Sequence, residues 1–310
     1  MKKTNAIMTS AVLLCLLTGC KDASADLNDK DTVLFKVGET TVTKGTVYDM
    51  LMNSAASDTI MNSVQKKIAA KEIEITDDIK KDAQETLDMY VEYYGDSFTS
   101  YLEQLGMTTE DYLNESLIPS IQVEQLSEKY VNENFASLAE TYKPVKAILI
   151  DFTEQADADA ALEELKNGSD PADVASTHNS SSSGTAMVYT TESSSVDSLV
   201  RTTMLNGMTA DDGWTMIPAS DGSSFSIVKI EETDPEKFHD DAVSTLRTLA
   251  DVSTASTRYW LEKYSFHVYD ITAYNAIKNE HPEYLIQDGS PETEETEETE
   301  ETAETTEPTE

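Results

Sequence analysis

The sequence predicts an α+β protein that is mostly helical and carries one small sheet. Apolar residues recur at helical spacing through much of residues 58–142. The short apolar run PVKAILIDF at 144–152 then opens a mixed segment with the predicted order strand, helix, helix, short strand, helix, strand, strand. Helical spacing returns after residue 235. Together these observations predict helices on both sides, in sequence, of a compact α/β segment.

The N-terminal elements are marked by turn and cap residues. TVLFKVGETTVTKG alternates apolar and polar residues around Gly38-Glu39 and predicts a small hairpin, after which Thr43 caps a helix. Thr76 precedes two acids and starts the next helix, because negative charge in a first turn favours the helix dipole. Gly95 ends that helix.

Two further helices follow before the mixed segment. DSFTSYLEQLG predicts a short helix that ends at Gly106, and Thr109 begins a long helical stretch to Tyr142 with a kink at Pro119. Tyrosine and methionine are frequent on these helices. They are either core and boundary residues or an adaptable apolar surface for unfolded chains.

Cap and turn residues also mark the predicted elements of the mixed segment and of the residues that follow it. Asp170 caps a helix with Pro171 in its first turn, and the loop NSSSSG follows. Short strands are predicted near AMVY, WTMI and SFSIVKI, with a helix around VDSLVRTTML. One helix is then predicted from residue 236 to 264, followed by a strand at SFHVYD and a helix, ITAYNAIKNE, that ends at His281-Pro282.

Composition limits the classes of function. The 310 residues include 22 basic and 59 acidic side chains, so the formal charge is −37. A chain this acidic repels phosphate backbones, which argues against nucleic-acid binding, and the charge keeps an exported protein soluble. The four histidines fit no metal motif, so we expect neither a metal nor a cofactor.

The N-terminus has the pattern of an export signal. Lys2 and Lys3 precede the apolar run AIMTSAVLLCLL, which is too short to span a membrane, and then LTGC ends at Cys20. LTGC resembles the lipobox of bacterial lipoproteins, which implies cleavage before Cys20 and attachment of a lipid to its sulfur. The alternative is an ordinary secretory signal. After cleavage Cys20 is the last remaining cysteine, so no intramolecular disulfide is expected.

Three segments, taken in order, resemble the PrsA/SurA foldases. VLFKVGETTVTKGTVYDML resembles their opening strand and helix, YGDSFTSYLEQLGMTTEDYLNESL their chaperone-domain helices, and RYWLEKYSFHVYD the segment by which the chain rejoins that domain. The resemblance covers roughly residues 30–285. It implies a SurA/PrsA-like helical chaperone domain, built from N- and C-terminal segments, with an inserted parvulin-like α/β domain.

The resemblance also implies domain boundaries. We expect a lipoprotein signal peptide, a tether, an N-terminal chaperone segment, a parvulin-like domain, a C-terminal return segment and a disordered acidic tail, at residues 1–19, 20–31, 32–142, 143–233, 234–287 and 288–310. The tail is either a solvated spacer or a weak cation sponge. Because the resemblance is closer to the lipid-anchored PrsA branch, we expect the outer face of the membrane of a single-membrane bacterium.

The residues that the resemblance assigns to the isomerase site are degenerate. Parvulins carry a histidine in the first and in the last strand of the domain, where this chain has Ala147 and Ser226, and Ser181 stands where Cys or Asp is expected. Substrate-groove candidates are Met187, Leu199 and Phe225. Rotation about an Xaa–Pro bond faces a barrier of about 18–20 kcal/mol, and preorganised polar groups are the usual means of lowering a barrier. We therefore expect the fold without an intact catalytic residue and with little or no isomerase activity.

Three functions remain open at this stage. The first is a chaperone or foldase, anchored to the membrane through lipid on Cys20, whose partners are unfolded or partly folded exported polypeptides. The second is a working peptidyl-prolyl cis-trans isomerase with a rearranged site. The third is a lipoprotein adhesin or assembly factor that uses the same scaffold for one partner. A solute-binding lipoprotein needs two α/β lobes, which the helical N-terminal half does not provide.

Overall fold

The computed structural model describes residues 27–178 and 180–291. Cys20, the predicted signal peptide and the acidic tail beyond residue 291 therefore lie outside the described residues. The described residues confirm the predicted α+β fold. They form two compact units, one of residues 27–60 with 266–291 and one of residues 61–265. The domain boundaries implied by the resemblance stay a prediction.

The elements follow one another in nearly the predicted order. The helices are α1 (Lys44–Glu72), α2 (Asp77–Tyr94), α3 (Asp96–Gln104), α4 (Thr109–Tyr112), α5 (Ile118–Glu133), α6 (Phe135–Tyr142), α7 (Gln155–Lys166), α8 (Pro171–Thr177), α9 (Ser198–Gly207), α10 (His239–Leu246), α11 (Ala250–Lys263) and α12 (Ile271–Glu280). The strands are β1 (Val33–Val37), β2 (Thr40–Thr43), β3 (Val145–Phe152), β4 (Ala186–Tyr189), β5 (Thr215–Pro218) and β6 (Phe225–Glu232).

In the smaller unit, β1 and β2 form the predicted antiparallel hairpin. Gly38 lies in its turn at φ +62°, a left-handed conformation that glycine adopts without steric cost. At the start of α1 the Thr43 hydroxyl accepts a hydrogen bond from the Thr46 amide at 3.2 Å, as expected of a cap. The smaller unit also contains α12, which ends at His281 as the sequence predicts.

Two of the apolar clusters that the described helices of the larger unit bury join elements distant in sequence. One joins α2, α3 and the start of α5 through residues such as Ile79, Leu102 and Ile118. The other joins α5, α6, α10 and α11 and includes Phe135 and Leu246. A π-helical turn at Leu113–Leu117 leads into α5 just before Pro119. This irregular turn lies beside the position of the predicted kink, where proline has no N–H to continue the α-helical ladder.

The α/β part of the larger unit is a four-stranded antiparallel sheet in the order β4-β3-β6-β5. Alternate residues of β3 point to opposite faces, and both faces are covered. Val145, Ala147 and Leu149 lie in the cluster that contains α9 residues. Ile148 and Ile150 lie in the cluster that contains α7 and α8 residues. β3 is therefore covered by apolar residues on both faces, which explains its nearly uninterrupted apolar sequence.

Two predicted elements differ from the structure. The single helix expected from 236 to 264 is a 3-10 turn, Pro235–Phe238, followed by α10 and α11 with a break at 247–249. The strand expected at SFHVYD is absent, because residues 266–270 join no sheet ladder among the described residues. Across the two described ranges, no helix has both the length and the apolar character needed to cross a membrane.

Candidate functional site

The two strand positions that the resemblance assigns to histidines are buried but not opposite each other. Ala147 is fully buried on β3, where its cross-strand neighbours are Met187 on β4 and Ile230 on β6. Ser226 lies on β6, is 4% exposed and faces Asp151. Asp151 lies four positions after Ala147 on β3, a distance of about 13 Å at the usual rise of a strand. The structure therefore does not bring Ala147 and Ser226 together.

Ser226 instead forms a polar pair with the acid at the end of β3. Its hydroxyl donates to Asp151 Oδ1 at 2.5 Å. The loop of serines after α8, which we call the serine loop, binds the backbone of Asp151. Ser180 Oγ donates to the Asp151 carbonyl at 2.8 Å, and the Asp151 amide donates to Ser182 Oγ at 3.0 Å. Ser180 and Ser182 thus fasten this loop to the end of β3. Burial, and secondarily the Asp151 charge, raise the pKa of Tyr189 above its ordinary value.

A polar pocket of about 280 Å³ opens beside this pair. It is lined by Asp151, Phe152, Thr153, Asp157, His178, Ser181 and Ser224. Ser181, the third predicted site residue, thus lies in a pocket with Asp151. His178 pairs with Glu164, Nε2 to Oε1 at 3.2 Å, and its ring lies edge-on to Phe152 at 6.4 Å between centroids. His178 thus pairs with a carboxylate, and the hydroxyl, carboxylate and imidazole groups of the lining are all able to form hydrogen bonds with a bound chain.

The three predicted groove residues differ in exposure. Met187 and Leu199 are exposed by 55% and 45%. Phe225 is partly buried and packs against the cluster on the opposite face of the sheet from Ala147. Met187 lines a separate shallow pocket of about 440 Å³ together with Lys146 and Asp241, which form an ion pair at 2.6 Å. A substrate groove through these three residues stays a prediction.

A surface that sequence reasoning left open lies on the end of α2 and on α3. We use the name α2–α3 apolar surface for the large apolar and aromatic side chains of residues 89–105 that are each at least 40% exposed: Met89, Val91, Tyr93, Tyr94, Tyr101 and Leu105. Tyr93 and Tyr94 are in edge contact at 4.7 Å between ring centroids. The contacts continue inward through Tyr90, which lies 6.3 Å from Tyr94 and 5.9 Å from the buried Phe98.

Asp151 and His178 are site residues that the sequence did not single out. The sequence does contain an indication for Asp151. An acid near the end of an otherwise apolar strand marks the point where the strand leaves the core, because a buried charge is costly. No local sequence pattern indicates that His178 lines the pocket, because its position depends on how α8 packs beside β3.

The fold and these surfaces define a class of protein: an α+β chain with exposed aromatic side chains on its helices and a four-stranded antiparallel sheet beside which a polar pocket opens. Within that class the chain is similar to PrsA-type foldases. It is 29% identical over 244 residues to the foldase protein PrsA of Streptococcus mutans, and this alignment covers 74% of the chain and 71% of that protein.

A second relative is foldase protein PrsA 3 of Bacillus anthracis, 28% identical over 177 residues that cover 56% of the chain and 58% of that protein. These matches confirm the predicted resemblance to PrsA-type foldases. The crystal structure of foldase protein PrsA from Streptococcus pneumoniae aligns with a TM-score of 0.44 at 19% identity, over 82% of this chain and 100% of that one. No protein-family model matches the chain.

Proposed function

We propose that the chain is an extracytoplasmic chaperone of the foldase class that holds exported polypeptides while they fold. The α2–α3 apolar surface carries the proposal. Soluble proteins commonly expose single apolar residues, whereas a group of large ones marks a binding surface. Tyrosine suits a surface that receives many sequences, because its ring contributes apolar contact area and its hydroxyl remains available for hydrogen bonds.

Membrane attachment through Cys20 is part of the same proposal. Its support is the lipobox-like LTGC sequence that follows a short apolar run. A lipid on Cys20 would keep the chaperone where exported chains emerge, and the polar residues 21–31 would act as a tether. Incorporation of radiolabelled palmitate into the wild-type chain, but not into the Cys20→Ser variant, is the expected result. Equal labelling of both would contradict it.

The α/β domain is proposed to be weakly active or inactive as an isomerase. The buried Ala147 side chain offers no hydrogen bond at its position on β3, and the residues opposite it are the apolar Met187 and Ile230. Catalysis of amide rotation needs groups that bind the twisted amide better than the planar one. The methyl group of Ala147 does not meet that requirement.

An active isomerase with a rearranged site is the second candidate, and a specific observation favours it. The Asp151–Ser226 pair places a hydroxyl and a carboxylate in one hydrogen bond, and Asp151 lines the polar pocket. Preorganised polar groups of this kind are able to bind a twisting amide. This candidate predicts that Ser226→Ala and Asp151→Asn abolish an isomerase activity that the wild-type chain possesses.

The chaperone proposal is tested by suppression of aggregation. The full chain is mixed with a chemically denatured client on dilution, and light scattering is followed. The Tyr93→Ser/Tyr94→Ser double variant should bind the client about tenfold more weakly, a loss of about 1.4 kcal/mol, because the most exposed ring of the surface and its neighbour are removed. Tyr269→Ser, at a 66% exposed tyrosine outside that surface, is the matched control. Equal suppression by the double variant and the wild type would contradict the proposal.

A further inference from the structure

Three side chains of the smaller unit converge on one point from distant parts of the sequence. Asp58 lies on α1, Glu280 is the last residue of α12, and His281 follows it. One potential ligand atom from each lies within 4.8 Å of the other two. Four ligands around a tetrahedral metal at bond lengths near 2.0–2.1 Å stand about 3.3 Å apart, so small side-chain movements suffice to close this group around an ion.

The histidine is already oriented in the way that metal-bound histidines are. His281 Nε2 lies 3.0 Å from Asp58 Oδ1, which directs that nitrogen to the convergence point. The other ring nitrogen, Nδ1, lies 3.5 Å from Glu283 Oε1. A carboxylate beside the second nitrogen is the usual means by which proteins fix the tautomer and ring orientation of a histidine ligand. Glu283 therefore occupies a supporting position rather than a ligand position.

A second and independent observation concerns a pocket that shares Glu280 with this group of side chains. A pocket of about 310 Å³ is lined by Ser57 and Glu280, with further polar side chains at Ser54, Thr272, Asn275 and Asn279. Ser57 is 1% exposed, and its hydroxyl has no hydrogen-bond partner within the part of the chain that the structure describes. Buried hydroxyls without a partner are rare in native proteins and indicate a bound water or ion.

We propose that Asp58, Glu280 and His281 Nε2 form a binding site for one divalent transition-metal ion. A remaining coordination position filled by water would face the pocket and supply the hydrogen-bond partner of Ser57. Imidazole with two carboxylates is a ligand set that suits zinc, whereas calcium and magnesium prefer oxygen ligands alone. The ion would join α1 to the C-terminal end of α12, residues that are more than two hundred positions apart in sequence.

The test is zinc binding to the purified full chain after metal removal. Zinc is titrated against a chromophoric competitor in excess magnesium, which occupies the weak carboxylate sites of the acidic chain. We expect one zinc ion per wild-type chain and a dissociation constant at least tenfold higher for both His281→Gln and Asp58→Asn. His267→Gln is the matched control, because His267 belongs to the same unit and its ring packs against Tyr269 instead.

A second readout separates loss of the site from loss of the fold. Zinc should raise the thermal midpoint of the wild type and of His267→Gln, and should leave that of His281→Gln unchanged while its circular dichroism spectrum stays that of the wild type. The proposal is overturned if the wild type binds no zinc under magnesium. It is equally overturned if His281→Gln and Asp58→Asn bind zinc as tightly as the control does.

Discussion

Glu72 shows how a single carboxylate is stabilised between three donors. Its oxygens accept from Lys129 Nζ at 2.7 Å and from Tyr264 at 2.9 Å, and they pair with Lys263 Nζ at 2.7 Å. Both ammonium groups also lie over the Trp260 ring, at 5.7 and 4.5 Å from its centroid. The hydrogen bonds from Lys129 and Lys263 lower the pKa of Glu72 to about 2. The residue thus links the end of α1 to α5 and α11.

This pKa predicts a pH dependence with a definite sign. An unfolded glutamate titrates near pH 4.3, so the lowered folded pKa stabilises the fold above that pH, and the contribution is lost as pH falls towards 2. Glu72→Gln should lower the free energy of unfolding by about 2 kcal/mol at pH 7. The difference from wild type should shrink as the pH falls below the unfolded pKa, and most of it should be lost when the pH reaches the folded pKa of about 2.

Urea unfolding at several pH values measures this difference. Glu140→Gln, at an exposed position on α6, is the control and should change stability by less than about 0.5 kcal/mol at any pH. A difference between Glu72→Gln and wild type that stays constant from pH 7 to pH 2 would contradict the assignment of the stabilisation to the ionised carboxylate.

A substitution at Ala147 tests whether the missing histidine alone accounts for the loss of isomerase activity that we propose. Restoring a histidine there should not restore catalysis, because the position is fully buried in an apolar cluster and Ser226 faces Asp151 instead. Overpacking should lower the free energy of unfolding by about 1–3 kcal/mol. Met187→His, at the exposed cross-strand neighbour, should be nearly neutral. A gain of isomerase activity in Ala147→His would show that the remainder of the site is intact.

At the scale of elements, the sequence predicts best where one residue decides the local backbone. Thr76 accepts from the Ile79 amide at 3.2 Å, Gly95 ends α2 at φ +54°, and Asp170 caps α8 through the amides of Ala172 and Asp173. Each is a contact between near neighbours in the chain, so its signal is local. These boundaries could therefore be placed from the sequence alone.

The missed elements depend on distant contacts. The break between α10 and α11 includes Leu249, the residue before α11, whose apolar side chain forms no capping hydrogen bond. Leu249 packs instead against the buried cluster of α6 and α10. At SFHVYD the alternation is that of a strand, but the Gln287 side chain bonds both the amide of Val268, at 2.7 Å, and its carbonyl, at 3.3 Å. The Gln287 side chain thus takes the place that the backbone of a neighbouring strand would have, and no local sequence pattern indicates this pairing.

The candidate site illustrates the same limit. The sequence places Ala147 and Ser226 on two neighbouring strands, but which residues face each other depends on the register. A register shift occurs between Lys146 and Ala147, and it pairs Asp151 with Ser226. Because such irregularities are set by packing rather than by one residue type, the Asp151–Ser226 pair follows only from the structure.

Gly184 gives a prediction for the serine loop as an element. It has φ +69°, and an added Cβ would lie 2.3 Å from the Pro171 carbonyl oxygen. An alanine at this position would be strained by the positive φ and would also push the loop away from α8, so Gly184→Ala should cost more than the strain of a left-handed alanine alone. Gly168→Ala, at φ +93° with open space around the added carbon, should cost about 1–2 kcal/mol. Equal losses in urea unfolding would contradict the close approach.

At the scale of the whole molecule, charge and exposed apolar surface act together. A formal charge of −37 keeps the chain soluble while a group of tyrosines and aliphatic residues stays exposed on α2 and α3. A protein that must release its client after folding needs contacts that are individually weak. Exposed aromatic side chains supply such contacts without a site that recognises one sequence.

The central claim is that the chain binds unfolded polypeptides without catalysing Xaa–Pro rotation. The most direct measurement is NMR exchange spectroscopy on a short Xaa–Pro peptide with aromatic neighbours, with and without the full chain. We predict that the peptide signals broaden and shift, which reports binding, while the cis/trans exchange rate stays at its uncatalysed value. Acceleration of exchange, lost in Ser226→Ala, would contradict the claim and establish the rearranged isomerase site instead.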